Sequence, residues 1–154
     1  MPERFFSGLV PMARIIIADD DEIVGEIVCG ALIDAGHGAG LLTNGRDALQ
    51  VIRARRPELV ILDCNMPGLN GLLVLREMRN SPDLCDVPVL ILTGRRGEQD
   101  VELALHEGAD DYMKKPFDPD ELVFRVDELL ARRRPAERTV RRPVRKGFGR
   151  LGMA

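Results

Sequence analysis

The sequence predicts an α/β fold, a doubly wound five-stranded parallel sheet with a helix after each strand. Three observations predict it. Between residues 14 and 134, short apolar or β-branched runs alternate with longer segments of helical period. Three of the runs are continuously apolar, as strands must be when helices cover both faces of a parallel sheet. No internal repeat of about 20 to 50 residues is present, which sets aside solenoids and propellers.

Taken in order, the first strand is Ile15-Ile16-Ile17-Ala18, followed by a helix striped with Ile23, Val24, Ile27, Val28, Ala31 and Leu32. Gly38 to Thr43 is shorter in apolar content and reads as a peripheral strand. Leu59-Val60-Ile61-Leu62 and Val89-Leu90-Ile91-Leu92 are the other two central strands. The fourth helix, about Gln99 to Glu107, is striped by Val101, Ala104 and Leu105, and Ala109 to Met113 is the last, peripheral strand. The final helix has the clearest start: Asp118 as N-cap, Pro119 at the first helical position, Glu121 to complete a capping pair, and Phe117 with Leu122 as a hydrophobic staple. It continues through Val126, Leu129 and Leu130. In such a fold ligands bind outside the carboxyl ends of the strands.

Composition narrows the chemistry. At 154 residues, 45% hydrophobic and 31% charged, the chain can bury one sizeable core. Residues 13–133 are expected to form that domain, residues 1–12 an N-terminal extension, and residues 134–154 a basic, disordered tail. No apolar run is long enough to span a membrane and no secretory leader is evident, so a cytoplasmic protein without a membrane partner is expected. Three cysteines, Cys29, Cys64 and Cys85, suit neither a disulfide framework nor a metal knuckle. His37 and His106 are the only histidines, which argues against a His-based zinc site or a Ser-His-Asp triad. Carboxylates must carry the chemistry. The net charge of −3 is uneven: residues 132–154 hold nine Lys or Arg against one Glu, leaving 13 basic against 24 acidic residues elsewhere.

The residues that end the central strands are Asp19 and Asp20, then Asp63, then Thr93, with Lys115 just past the fifth strand. Three carboxylates at one edge repel one another unless a cation joins them, and hard oxygen donors suit Mg²⁺ or Mn²⁺. Lys115 adds a fixed positive charge, Thr93 a hydroxyl, and Pro67-Gly68 and Gly94 leave room for a tetrahedral group. These parts match phosphoryl transfer to a carboxylate, with an aspartyl phosphate as product. Asp21 and Asn70 read as helix caps, Cys64 as a packed thiol and His106 as a solvated or core-edge side chain without a role.

Four blocks carry a resemblance: IIIADDDE (Ile15 to Glu22), LVILDCNMPGLNG (Leu59 to Gly71), VPVLILTG (Val87 to Gly94) and GADDYMKKPFD (Gly108 to Asp118). In this order and spacing they resemble the receiver domain of two-component response regulators, over about residues 13 to 133. The resemblance implies a (βα)5 flavodoxin-like receiver fold with strand order 2-1-3-4-5. It implies a phosphorylation switch, not a turnover enzyme, acting only in its own phosphorylation and dephosphorylation. Asp63 would be phosphorylated by a sensor histidine kinase or phosphotransfer protein. Asp19, Asp20, Asp63 and the backbone carbonyl of Asn65 would hold Mg²⁺. Lys115 would meet the phosphoryl group and precede a cis proline, while Thr93 and Tyr112 would switch. Asn65 and Arg95 would tune the phosphate lifetime.

Some features depart from the family or narrow it. Gly94 stands where Ala is usual, which loosens the loop. Asp110-Asp111-Tyr112 and Arg125 resemble the winged-helix transcription-factor subfamily, which implies a homodimer through the fourth helix, fifth strand and fifth helix. The fourth helix, however, has no Lys or Arg for the expected salt bridges. The residues after 134 are too few for a DNA-binding domain, so nucleic acid is expected only as a contact of the basic tail. That tail also reads as a solvated linker or as a docking peptide for an acidic partner. Two alternatives belong to other classes. One is a metal-dependent phosphatase that turns over an aspartyl phosphate and resembles haloacid dehalogenases. Asn65 stands where such enzymes carry the proton-donating acid. The other is a receiver-like interaction module that is never phosphorylated.

Overall fold

The computed structural model describes residues 12–94 and 98–138, with residues 98–100 and 133–138 described by backbone alone. Five strands and five helices alternate: β1 (Arg14–Ala18), α1 (Glu22–Asp34), β2 (Gly38–Leu42), α2 (Gly45–Arg55), β3 (Leu59–Asp63), α3 (Gly71–Arg79), β4 (Val89–Thr93), α4 (Glu98–His106), β5 (Asp111–Lys114) and α5 (Pro119–Arg138). The strands form one sheet in the order β2-β1-β3-β4-β5, and every pairing is parallel. The expected topology is the one observed. The predicted strands differ only at their ends, most at β5, which begins at Asp111 because Asp110 is used to cap Val89.

Strand side chains alternate between the two faces, and each face builds its own core. Ile15, Ile17, Leu59, Ile61, Leu90 and Leu92 pack against α1 and α5 through Val28, Leu32, Leu122, Val126 and Leu129. Ala18, Val60, Leu62, Val89 and Ile91 pack against α2, α3 and α4 through Ile52, Leu75, Met78 and Ala104. β3 and β4 are buried at every position, which is why their sequences do not alternate.

Helix starts follow the expected caps. The Asp21 side chain accepts from Ile23 and Val24 N–H, and Asn70 from Leu73 N–H. At α5, Asp118 Oδ1 accepts from Asp120 N–H at 2.9 Å, and Phe117 joins the core that holds Leu122. Glu121 does not complete the capping pair, because Arg125 one turn later draws its carboxylate to 3.0 Å.

Three expectations are corrected. On α1, Ile23 is 74% exposed and Ile27 51%; the helix packs by Gly25, Val28 and Leu32 instead. The six-residue apolar stripe was too wide for one contact. Gly25 decides the rotation, since a Cβ there would lie 2.6 Å from the Leu41 side chain. On α4, Val101 and Ala104 are buried but Leu105 is exposed. Finally, α5 continues to Arg138. Residues 134–138, expected to be disordered, continue the helical backbone although Pro135 lies among them. Residues 139–154 lie outside the described residues.

His37 fastens the end of the sheet remote from the strand carboxyl termini. Its buried ring accepts from Ala13 N–H at Nδ1 (3.1 Å) and meets Asp127 of α5 at Nε2 (2.8 Å). No helix of the described residues is long and apolar enough to cross a membrane.

Candidate functional site

The carboxyl ends of β1, β3, β4 and β5 meet at one edge of the sheet. β1 delivers Asp19 and Asp20, β3 ends on Asp63, β4 ends on Thr93, and Lys115 follows β5. Backbone bonds lock these ends together: Cys64 N–H donates to Leu92 O at 3.0 Å and Lys115 N–H to Thr93 O at 2.7 Å. Gly71 lets α3 start against the end of β3, since a Cβ at that position would come within 2.3 Å of the Asp63 carbonyl. Gly68, at φ 81°, turns the intervening loop through a conformation that side chains disfavour.

Asp19, Asp20 and Asp63 each offer a carboxylate oxygen, and these lie within 4.8 Å of one another. Asp19 and Asp63 are buried, whereas Asp20 faces solvent. Lys115 Nζ stands 3.0 Å from Asp19 Oδ2 and 3.3 Å from Asp63 Oδ2. The contact to Asp19 is an ion pair out of line for a hydrogen bond, so that buried oxygen still lacks a well-directed donor. Asp19 Oδ1 accepts from Asp21 N–H at 2.9 Å, and Asp63 Oδ1 from Asn65 N–H at 3.3 Å. Lys114, the neighbouring lysine, points away from the cluster and is exposed.

Electrostatics show the strain of this crowding. Burial, then the nearby Asp19 charge, pushes Asp63 up to about 7, and Lys115 only partly opposes them. At Lys115 burial disfavours the charge, but the neighbouring carboxylates of Asp19 and Asp63 outweigh it and raise the ammonium. One lysine does not satisfy two buried carboxylates and a third beside them. The orphaned Asp19 oxygen and the raised Asp63 both fit a site that could hold a metal ion.

Thr93 is fully buried, and its Oγ1 has no hydrogen-bond partner among the described residues. A buried hydroxyl without a partner costs about 1 to 3 kcal/mol. Its place at the end of β4, between the ends of β3 and β5, makes it available to a ligand seated over Asp63. Tyr112, on β5, is half-buried against the α3–α4 core. Gly94 has open space where a Cβ would stand, so Ala would fit there, and the glycine affects only backbone freedom. The site residue Arg95 lies outside the described residues. The Lys115-Pro116 peptide is cis.

Local sequence patterns did not reveal the arginine links around the site. Arg79 Nη1 donates to Val87 O (2.9 Å), Nε to Gly108 O (3.0 Å) and Nη2 to Asp110 Oδ2 (3.0 Å). Arg76 pairs bidentately with Glu107, pinning the end of α4 to α3. Arg125 ties Asp111 (3.1 Å) and the Tyr112 carbonyl (2.9 Å) to α5. Its pairing with Asp111 gives the Asp110-Asp111-Tyr112 motif a role within the chain.

A model of the response regulator receiver domain family matches residues 15–127. The response regulator MprA of Mycolicibacterium vanbaalenii is 42% identical over 122 residues, covering 79% of this chain and 52% of its own length. The DNA-binding response regulator MtrA of Mycobacterium tuberculosis is 41% identical over 126 residues, covering 80% and 54%. The chain thus spans about half the length of the curated relatives it matches. Among solved structures, the receiver domain of the Francisella response regulator 1452 has a TM-score of 0.72 at 29% identity, covering 78% of this chain and 98% of that one. Chemotaxis response regulator CheY4 of Vibrio cholerae has a TM-score of 0.72 at 27% identity, covering 77% and 99%. The chain belongs to the response regulator receiver domain family, the phosphorylation-switch component of two-component signalling.

Proposed function

We propose that this chain accepts a phosphoryl group on Asp63 in a Mg²⁺-dependent reaction and passes the change to the surface of α4, β5 and α5. The observation that carries it is the convergence of Asp19, Asp20 and Asp63 within 4.8 Å beside Lys115, with the buried Thr93 hydroxyl left without a partner. Asp19, Asp20, Asp63 and the carbonyl of Asn65 would hold the Mg²⁺, which when bound supplies positive charge to the phosphoryl oxygens. Mn²⁺ suits the same ligands.

Asp63 is the nucleophile. Its carboxylate oxygen bonds to phosphorus as the phosphorus–nitrogen bond of a donor phosphohistidine breaks, and the imidazole leaves with the electron pair. Lys115 neutralises one equatorial oxygen, and Thr93 donates its hydroxyl to another. Removing Thr93 from its unsatisfied position gives the switch its direction. The space it vacates admits Tyr112, and the α4–β5–α5 surface repacks. Asn65, exposed beside Asp63, and Arg95 govern the access of the water that ends the signal.

The donor would be a sensor histidine kinase or phosphotransfer protein, and the receiver would span residues 13–133, with the basic 134–154 segment beginning within α5. Exposed Ile23 and Ile27 on α1, next to Asp20, offer the donor an apolar hold at the edge of the site. A homodimer through α4, β5 and α5 would use the exposed Leu103, Leu105 and Phe124. Incubation with acetyl phosphate and Mg²⁺ tests the central step. Stoichiometric, hydroxylamine-sensitive label that is lost in Asp63→Asn is expected. Multiple turnover of phosphomonoesters would overturn it in favour of a phosphatase.

A further inference from the structure

Outside the phosphoryl site, a cavity of about 380 Å³ opens between α2 and the loop that leads into α3. Arg46, Leu49, Gln50 and Arg53 of α2 line it, together with Leu69 of the loop. Helical spacing explains the lining. Positions 46, 50 and 53 recur after one and two turns and share one side of α2, with Leu49 beneath them toward the core. Leu49 is buried and Leu69 half-buried, so the floor is apolar, while the three polar residues are exposed around it.

The cavity is closed along α2 at both ends. At the start of the helix, Gly45 sits so tightly on Leu69 that a Cβ there would overlap the Leu69 carbonyl. At the other end, Arg53 Nη2 reaches across to Glu77 Oε1 of α3 at 2.9 Å. About 10 Å of helix lies between the two closures. A compact ring fits that length, and an extended chain does not. The charge within it is one-sided. Arg14, Arg53, Arg56, Arg76, Arg79 and Arg125 each pair with a carboxylate. Arg46 pairs with none among the described residues, although the chain carries more acids than bases.

We propose that this cavity binds a small monocarboxylate with an apolar ring, its carboxylate on Arg46 and Gln50 and its ring on Leu49 and Leu69. The planar guanidinium of Arg46 can meet both oxygens of a carboxylate, and the Gln50 amide N–H can donate to one of them. Glu77 already offsets Arg53, so a second acidic group on the ligand gains little. The volume lies at the lower end of the range typical of small-molecule sites. None of these residues belongs to the Asp63 site, so the binding does not depend on the receiver function proposed above.

An NMR titration of the full chain with 1-naphthoate, followed at backbone amides, tests this. Saturable shifts are expected at Arg46, Gln50 and Leu69, with a Kd on the order of 1 mM for a ligand of this size. Arg46→Gln should weaken binding about three- to fivefold, the share of one exposed charge pair, and Arg46→Glu should abolish it. Arg46 is exposed in the first turn of α2, where an acid is favoured, so both variants keep the fold. Naphthalene-1-methanol, the neutral counterpart, should bind wild type about threefold or more weakly than the anion does. Leu69→Ala should weaken both probes. Shifts confined to the exposed Ile23, Ile27 or Phe124 would overturn the site. Equal affinity for the neutral probe, full affinity in Arg46→Glu, or no saturable shift up to about 10 mM would do the same.

Discussion

Lys115 Nζ reaches Asp19 Oδ2 at 3.0 Å and Asp63 Oδ2 at 3.3 Å, so one ammonium bridges the ends of β1 and β3 from the end of β5. In this arrangement the lysine already occupies the place of one positive partner that a transferred phosphoryl group needs. Lys115→Met should slow initial labelling of Asp63 by about 10- to 100-fold, the loss expected for one preorganised charged donor. Unchanged circular dichroism alongside a rapid-quench time course would check it. A wild-type rate would mean that the bridge serves only folding.

Asp63 also sets a pH dependence. Its folded value of about 7 lies above the 3.8 of an unperturbed carboxyl, so the folded state holds the proton more tightly than the unfolded chain. The contribution to stability is full below pH 3.8 and is lost as pH rises through 7. Allowing for solvent screening, about 1 kcal/mol is at stake, or about 3 °C in Tm. Calorimetry of metal-free protein should show this decline, Asp63→Asn should flatten it, and saturating Mg²⁺ should raise Tm most above pH 7. Parallel profiles for wild type and Asp63→Asn would contradict it.

Tyr112 is the only tyrosine, and the chain has no tryptophan. Its emission therefore reports one position on β5. Adding acetyl phosphate with Mg²⁺ should change that emission, with no change in Asp63→Asn. Thr93→Ala should still take label while the optical change shrinks, because the hydroxyl couples the phosphoryl group to the ring. Equal amplitudes in Thr93→Ala and wild type would remove Thr93 from the switch.

Ile23→Asp with Ile27→Asp alters only exposed positions of α1. Labelling by acetyl phosphate should be unaffected, while transfer from a histidine-phosphorylated donor should fall by about tenfold or more, the usual cost of removing an apolar anchor. Equal losses with both donors would place the effect in the site itself.

Glycine substitutions separate close packing from loop freedom. Gly71→Ala pushes a Cβ to 2.3 Å from the Asp63 carbonyl, and urea unfolding should show a loss of about 3 kcal/mol. Gly94→Ala meets nothing within 4 Å and should change stability by less than about 0.5 kcal/mol. A larger loss at Gly94 than at Gly71 would refute this account of the β3–α3 junction.

The central strands and the ends of β3 and β4 were readable because continuous burial leaves an unbroken apolar run with a polar stop, whereas the strand order followed only from the family resemblance. The convergence of Asp19, Asp63, Thr93 and Lys115 followed from parallel strands delivering their carboxyl ends to one edge. The rotation of α1 was not readable. Six apolar positions allow more than one facing, and the choice depends on how closely Gly25 meets Leu41, a contact outside the helix itself. Arg79 escaped notice for a similar reason: its acceptors are mostly backbone carbonyls, which have no signature in side-chain pattern.

The hydrogen bonds of His37 to Ala13 and Asp127 have a spatial consequence for traffic around the molecule. They hold the entry of the first strand and the body of the last helix together at one pole, while Asp63 occupies the other. The described chain therefore begins, at Met12, at the pole opposite Asp63, and its last helix runs toward that same pole, so both leave the face over Asp63 clear.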